Sequence, residues 1–354
     1  MTVTLKDIAR EANVSISTVS RIINNDMTKP ASKSTSDKVW KIVKELGYTP
    51  NQNARNLINN VYNEEEAPAL TKAIGCISAA MNGVFNDPFF ASISRGIADE
   101  IHKRGYVVAY SFSSTDMSFS ALYNNLMYNP VDGAILLGRY NNETLDFFKK
   151  HIKNLVYAGV NYMDGGFSEV ICDGYKATKV ALEYLISLGH TQIGFIGEVN
   201  EREDIKLVNE HRYEAYCDTL KLNNIQLKPQ WVIDSPLNAE SGHTSMKKYI
   251  ESHQELPTAF FCANDFVAMG SIKAMHEKNI GVPDDISVIS IDNIDMAQYF
   301  TPALTTIDVV KEELGRYAVK MLVERIEGET NLPVRVEIPF NLIERDSCRA
   351  ISGQ

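Results

Sequence analysis

The chain has 354 residues, 44% of them apolar and 23% charged, with 35 Lys and Arg against 45 Asp and Glu. That composition is ordinary for a globular protein, no apolar run reaches the ~18 residues of a membrane helix, and charged Lys6 and Asp7 stand where a secretory signal needs apolar residues. Cys76, Cys172, Cys217, Cys262 and Cys348 are scattered without a Cys-x-x-Cys pair, which argues against a zinc ribbon or a disulfide framework and suits a reducing cytoplasm.

Residues 1–62 hold nine basic and five acidic side chains, whereas the remainder holds 26 and 40. A small basic head on a large acidic body points to two separate tasks. Thr4 is placed to cap a first helix, with Asp7 in its first turn and Leu5, Ile8, Ala9 and Ala12 on one face. Asn13 suits the left-handed turn that ends it. Ser15 caps a second helix with Val19, Ile22 and Ile23 inward. Ser32 or Ser34 caps a third, with Val39, Ile42, Val43 and Leu46 inward and Gly47 as its stop. Three helices around one small core describe a helix-turn-helix domain. The second helix turns Ile16, Ser17 and Arg21 outward, where base edges are read in a major groove. Ser15, Ser20, Asn24 and Thr35 suit phosphate contacts, which position without specifying. Plain solvated residues on a helical hairpin are the alternative.

The run from Thr4 to Asn24, Thr-Leu-Lys-Asp-Ile-Ala-Arg-Glu-Ala-Asn-Val-Ser-Ile-Ser-Thr-Val-Ser-Arg-Ile-Ile-Asn, closely resembles the N-terminus of the LacI/GalR family of bacterial repressors. Tyr48-Thr-Pro-Asn-Gln-Asn-Ala-Arg-Asn-Leu57 resembles that family's hinge helix. The resemblance implies DNA contacts at Asn51 and Ala54, and a minor-groove wedge at Leu57, physically an apolar side chain that kinks the duplex. An ordinary linker helix is the alternative. The stretch from Ile58 to Thr71 departs from the family by carrying Glu64, Glu65 and Glu66, which disfavours ordering beside phosphates.

Past Pro68, short apolar strands alternate with helices. Ala73–Ser78, Tyr106–Tyr110, Gly133–Gly138, Leu155–Gly159, Ile193–Gly197, Ala259–Ala263 and Ile286–Ile291 read as strands, and Phe89–Arg104 as a helix carrying Ile93, Ile97 and Ile101. This predicts two doubly wound parallel-sheet lobes with a ligand cleft at converging strand ends. Leu188–Gly197, Ala263–Gly270, Val282–Asn293 and Leu304–Ile307 resemble the family's body, which is like that of periplasmic binding proteins. The expected division is a helix-turn-helix domain over 1–49, a hinge helix and linker over 50–71, and a two-lobed sugar-binding and dimerisation domain over 72–354. The resemblance places lobe crossovers near 161–163 and 290–294.

The family resemblance carries effector contacts onto Asn264 and Asp292, with Asp265 instead capping the helix that follows. Asp87 with Phe89 or Phe90 would supply a polar group and a stacking face, unless both rings are core. Arg212 is the expected cleft arginine, with Arg202 or Lys206 as substitutes, and Arg139 is a further candidate. His190 reads as structural. The strand-end patterns resemble galactose- and β-galactoside-responsive members, so the expectation is a repressor of a sugar-utilisation operon released by galactose or a galactoside; the alternative is a family member that answers to another sugar, a nucleobase or a corepressor, or that activates. No nucleophile elbow, phosphate loop or His-Glu-x-x-His occurs, which argues against an enzyme. A cytoplasmic homodimer on a pseudo-palindromic double-stranded DNA operator is expected, without metal or cofactor.

Overall fold

The computed structural model describes residues 3–24, 29–48, 70–79, 87–113, 118–199, 210–252 and 255–351. The head consists of α1 (Leu5–Ala12), α2 (Ile16–Ile23) and α3 (Lys33–Leu46). Thr4 and Asp7 form a reciprocal capping box, with the Asp7 amide donating to Thr4 Oγ1 over 3.3 Å and the Thr4 amide to Asp7 Oδ2 over 3.0 Å. Asn13, at φ 55°, ends α1. Ser15 accepts from the Thr18 amide at the start of α2. Ser32, not Ser34, does the same for α3 through Thr35. Ile8, Ala12, Val19, Ile23, Val39 and Val43 form the core between the helices. Leu46 lies in the last turn of α3, beyond the crossing of the helices, and is 37% exposed.

The body opens with β1 (Ala73–Ser78), α4 (Pro88–Lys103), β2 (Val107–Ser113), α5 (Phe119–Tyr128), β3 (Gly133–Leu137), α6 (Asn142–His151), β4 (Leu155–Gly159) and β5 (Ser168–Ile171). It continues through α7 (Gly174–Ser187), β6 (Ile193–Gly197), α8 (Arg212–Leu222), β7 (Val232–Asp234), α9 (Ala239–Ser252), β8 (Ala259–Cys262), α10 (Asp265–Glu277) and β9 (Ser287–Asp292). Next come β10 (Thr305–Val309), α11 (Lys311–Ile326), β11 (Arg335–Glu337) and β12 (Phe340–Ile343). Two six-stranded sheets result, ordered β11-β5-β4-β3-β1-β2 and β12-β10-β9-β8-β6-β7. Pairing is parallel except between β10 and β12. β1, β3, β4, β6, β8 and β9 are buried along their whole length, as central parallel strands require.

The chain passes between the sheets three times, and not at 161–163 or 290–294. The passages run from β5 into α7, from β10 into α11, which packs against α4, β3, β4 and β5, and from β11 into β12. The first lies later than expected because β5 is a strand of the first sheet. Glu169 interrupts its apolar pattern, yet that carboxylate is buried, accepting from the Met163 amide at 3.1 Å and Arg335 Nε at 3.0 Å.

Helices α4 and α11 meet through glycines. A Cβ on Gly96 would stand 2.1 Å from the Glu312 carbonyl oxygen, and one on Gly315 would stand 2.2 Å from that of Ile93. Gly96→Ala is therefore expected to destabilise the protein by about 1–3 kcal/mol, despite alanine's better helix propensity. A lower urea midpoint at unchanged helical dichroism would show it.

The head rests on the first lobe. The Tyr123 hydroxyl of α5 donates to the Tyr48 carbonyl over 3.0 Å, and its ring meets Trp40 edge-on at 5.4 Å. Lys150 of α6 donates to the Gly47 carbonyl over 2.8 Å.

Candidate functional site

The N-terminal end of α2 is the open end of the head. Ile16 is 48% exposed there, and Ser17 is also exposed. The Ser15 and Ser17 hydroxyls lie 2.8 Å apart at the start of α2, and a helix start is a favourable place for phosphate. Arg21 folds back along its own chain, with Nε donating to the Ser17 carbonyl at 3.1 Å and Nη1 to that of Lys29 at 3.3 Å. A base contact by Arg21 therefore requires these weak exposed bonds to be exchanged. Asn24 donates to Ser20 Oγ over 3.1 Å and accepts from the Tyr128 hydroxyl over 3.1 Å. The Thr35 hydroxyl bonds that of Ser32 at 2.7 Å. Asn51, Ala54 and Leu57 fall outside the described residues.

In the body, Asp87 and Arg212 lie near enough to Asp292 to act on its charge, and Arg139 joins Arg212 through the shared carboxylate of Glu210. Asp87 caps α4 by accepting from the Phe89 amide at 2.9 Å, and burial holds its carboxyl above the usual range. Phe89 belongs to the core at 6% exposure and meets half-buried Phe90 edge-on at 5.3 Å. This leaves Phe90, not Phe89, as the ring with an accessible portion. Asp292 ends β9 at φ 125°, a strained backbone for any residue but glycine. Burial pushes its carboxyl well above the ordinary value, and the neighbouring charge of Asp265 adds to the push, opposed by Arg212 and Lys311. A buried acid at a strand end, its pKa shifted by burial and by named charges, has the character of a binding group.

Arg139 follows β3, where Gly138 turns the chain at φ 87°. It is not a solvated loop residue: its Nη1 pairs with Glu198 and, at 3.1 Å, with Glu210 Oε2. Arg212, at the start of α8, grips Glu210 with Nε at 2.7 Å and Nη2 at 2.5 Å. Its Nη1 donates to the Ala263 carbonyl over 2.6 Å. Burial alone would raise the Glu210 pKa, but Arg212 holds it below the ordinary carboxylate value.

The capping role expected of Asp265 falls to Asn264 instead. Asn264 is the cap of α10, its Oδ1 accepting from the Val267 amide at 2.9 Å and its Nδ2 donating to the Leu237 carbonyl at 3.3 Å. This engagement leaves little of Asn264 for a ligand. Asp265 is wholly buried and accepts from Ser290, Thr306 and the Ile294 amide. The signal that misleads is positional, since either residue can start a helix. His190 joins Thr258 Oγ1 at 2.9 Å to the Arg349 carbonyl at 3.1 Å, away from the cleft groups.

Sequence reasoning missed Glu198, Glu210, Tyr162 and His211. Tyr162 stacks on His211 with ring centroids 4.4 Å apart, and Arg335 lies 4.2 Å over the other partner of that stack, the Tyr162 ring. Glu198 directly follows the Gly-Phe-Ile-Gly strand, so its place at a strand end was legible. Glu210 carried no pattern. Among the described residues, no group of three His, Cys, Asp or Glu is arranged to hold a metal ion, and no helix is long and apolar enough to cross a membrane.

Residues 4–51 match the family model described as bacterial regulatory proteins, lacI family, and residues 182–348 match a periplasmic binding protein-like domain. A curated relative, the HTH-type transcriptional repressor PurR of Pectobacterium carotovorum subsp. carotovorum (strain PC1), is 34% identical over 97% of this chain and 96% of its own. The solved CelR-cellobiose complex, a transcriptional regulator, is 25% identical with a TM-score of 0.72, covering 98% of this chain and 99% of that one. A putative LacI transcriptional regulator from Bacillus cereus subsp. cytotoxis NVH 391-98 is 29% identical with a TM-score of 0.71, over 80% of this chain and all of that one. The galactose-operon likeness expected from the strand ends finds no support in these relatives. The head, the two-sheet body and this near full-length identity together place the chain in the LacI family of bacterial regulatory proteins, as a DNA-binding transcriptional repressor and not an enzyme.

Proposed function

We propose that this protein is a cytoplasmic, dimeric repressor that reads a pseudo-palindromic operator with α2 and responds to a small polar effector held between its lobes. The observation that carries the reading is the four-residue cleft set, Asp87, Arg139, Arg212 and Asp292, drawn from both sheets on a chain whose other end presents an open recognition helix. A sugar is the favoured effector class: paired carboxylates and guanidinium groups suit hydroxyls, and the CelR relative is described with cellobiose. A nucleobase is the second reading, favoured by the relative named PurR. Galactose itself has no separate support.

The test is selection of sheared genomic DNA by the purified full chain, with and without galactose, cellobiose, adenine or guanine. Recovery of one palindrome, lost or strengthened by one of these, supports the proposal. Failure to enrich any sequence sinks the operator reading. On the recovered site, Arg21→Ala is expected to narrow the gap between specific and mismatched sequences by about tenfold or more, the ~1–3 kcal/mol scale of one base contact. A uniform loss across all sequences would instead assign Arg21 to phosphate.

A further inference from the structure

The two arginines of the cleft are already occupied by carboxylates of the chain itself. Arg212 engages all three guanidinium nitrogens, two with Glu210 and one with the Ala263 carbonyl. Arg139 reaches across from the first lobe and pairs with both Glu198 and Glu210 of the second. The four side chains retain only 6–19% of their exposure, so these pairs are shielded from solvent. Beside them stand the carboxyl groups of Asp87 and Asp292, with Lys311 turned onto the backbone carbonyls of Asp292, Asn293 and Val309. Among the described residues here, Arg139, Arg212 and Lys311 face the carboxyl groups of Glu198, Glu210, Asp87 and Asp292. Among the described residues, an anionic ligand entering here would find both guanidinium groups already paired and would face the carboxylates that pair them at low effective dielectric.

From this arrangement we infer that Glu198 and Glu210 are specificity-determining residues, built-in anions that hold Arg139 and Arg212 and restrict the cleft to uncharged polar effectors. This deepens the effector reading given above and rests on it. The corollary is that removing the carboxylates exposes two adjacent guanidinium groups, an arrangement that binds phosphate bidentately.

The test is calorimetric titration of inorganic phosphate and of ribose 5-phosphate into the full chain, as wild type, Glu210→Gln, Glu198→Gln and the double variant. The wild type is expected to show the weakest binding. The double variant is expected to bind both anions at least ~10-fold more tightly, with the single variants between. Should Glu210→Gln fail to fold by circular dichroism, Glu198→Gln alone, which releases one partner of Arg139, is expected to show the smaller gain. Anion binding by the wild type as tight as by the variants would overturn the inference, as would folded variants that gain no anion affinity. Operator binding by the same wild-type sample separates the two claims: its absence would defeat the repressor reading and leave the anion comparison standing.

Discussion

Replacing Asp265 with alanine is expected to lower the stability of the body by about 3–5 kcal/mol, the cost of removing one partner from a buried charged network. Asp265 is fully buried at the head of α10 and ties three separate pieces of the second lobe. It accepts from Ser290 Oγ of β9 at 2.6 Å, Thr306 Oγ1 of β10 at 2.7 Å, and the Ile294 amide after β9 at 2.8 Å. Burial raises its pKa to about 6, and these donors limit the rise. The two hydroxyls can rotate toward other acceptors after substitution, but the Ile294 amide is fixed by the backbone. Urea unfolding measures the effect. A loss below about 1 kcal/mol would mean that the donors find new partners and that Asp265 is not the tie described.

Asp292→Asn is expected to act in the opposite sense on stability while abolishing the response to effector. The Asp292 carboxyl is raised well above its ordinary range, by burial first and by Asp265 second. A carboxyl that holds its proton more tightly when folded favours the folded state below its unfolded pKa of ~4, and that contribution is lost as pH rises through the folded value. The wild type thus carries at neutral pH the cost of burying this acid, which the unfolded chain would leave ionised in water. Asparagine removes the charge and keeps the shape, and the strain of φ 125° is common to both residues. A gain of about 1 kcal/mol near pH 7 that shrinks toward pH 4 is the expected result in thermal unfolding. A variant less stable than wild type at neutral pH would show that Arg212 and Lys311 already compensate the charge. A site that costs stability in the absence of its ligand is what selection for binding leaves behind.

The head was legible almost residue by residue because its information is local. Thr4, Asp7, Asn13, Ser15 and Gly47 each act on amides or carbonyls within a few positions, and the structure places them at the expected helix ends. Central strands such as Gly133–Leu137 were legible for a related reason, since burial on both faces leaves an unbroken apolar run. Short edge elements were not. β7, β11 and β12 have three or four residues and draw their definition from partners distant in sequence. The same distance hid the cleft network. Arg139 meets Glu210 across 71 residues of chain and Glu198 across a somewhat shorter stretch, and only the closing of two sheets on each other creates these pairs. Asn264 and Asp265 show a finer limit. Their types and positions fit both roles, and the choice is made by Ser290 and Thr306, which lie on other strands.

The coupling between head and cleft is tested most directly by fluorescence anisotropy of the recovered operator, titrated with wild type and with Asp292→Asn, each alone and with galactose, cellobiose, ribose, adenine or guanine. At least one of these ligands is expected to change the wild-type operator affinity by about tenfold or more, a coupling of ~1.4 kcal/mol, and to leave the variant unchanged at equal starting affinity. An equal shift in the variant would place the effector outside the cleft, and no shift with any of the five ligands in the wild type would contradict the effector classes assigned to it.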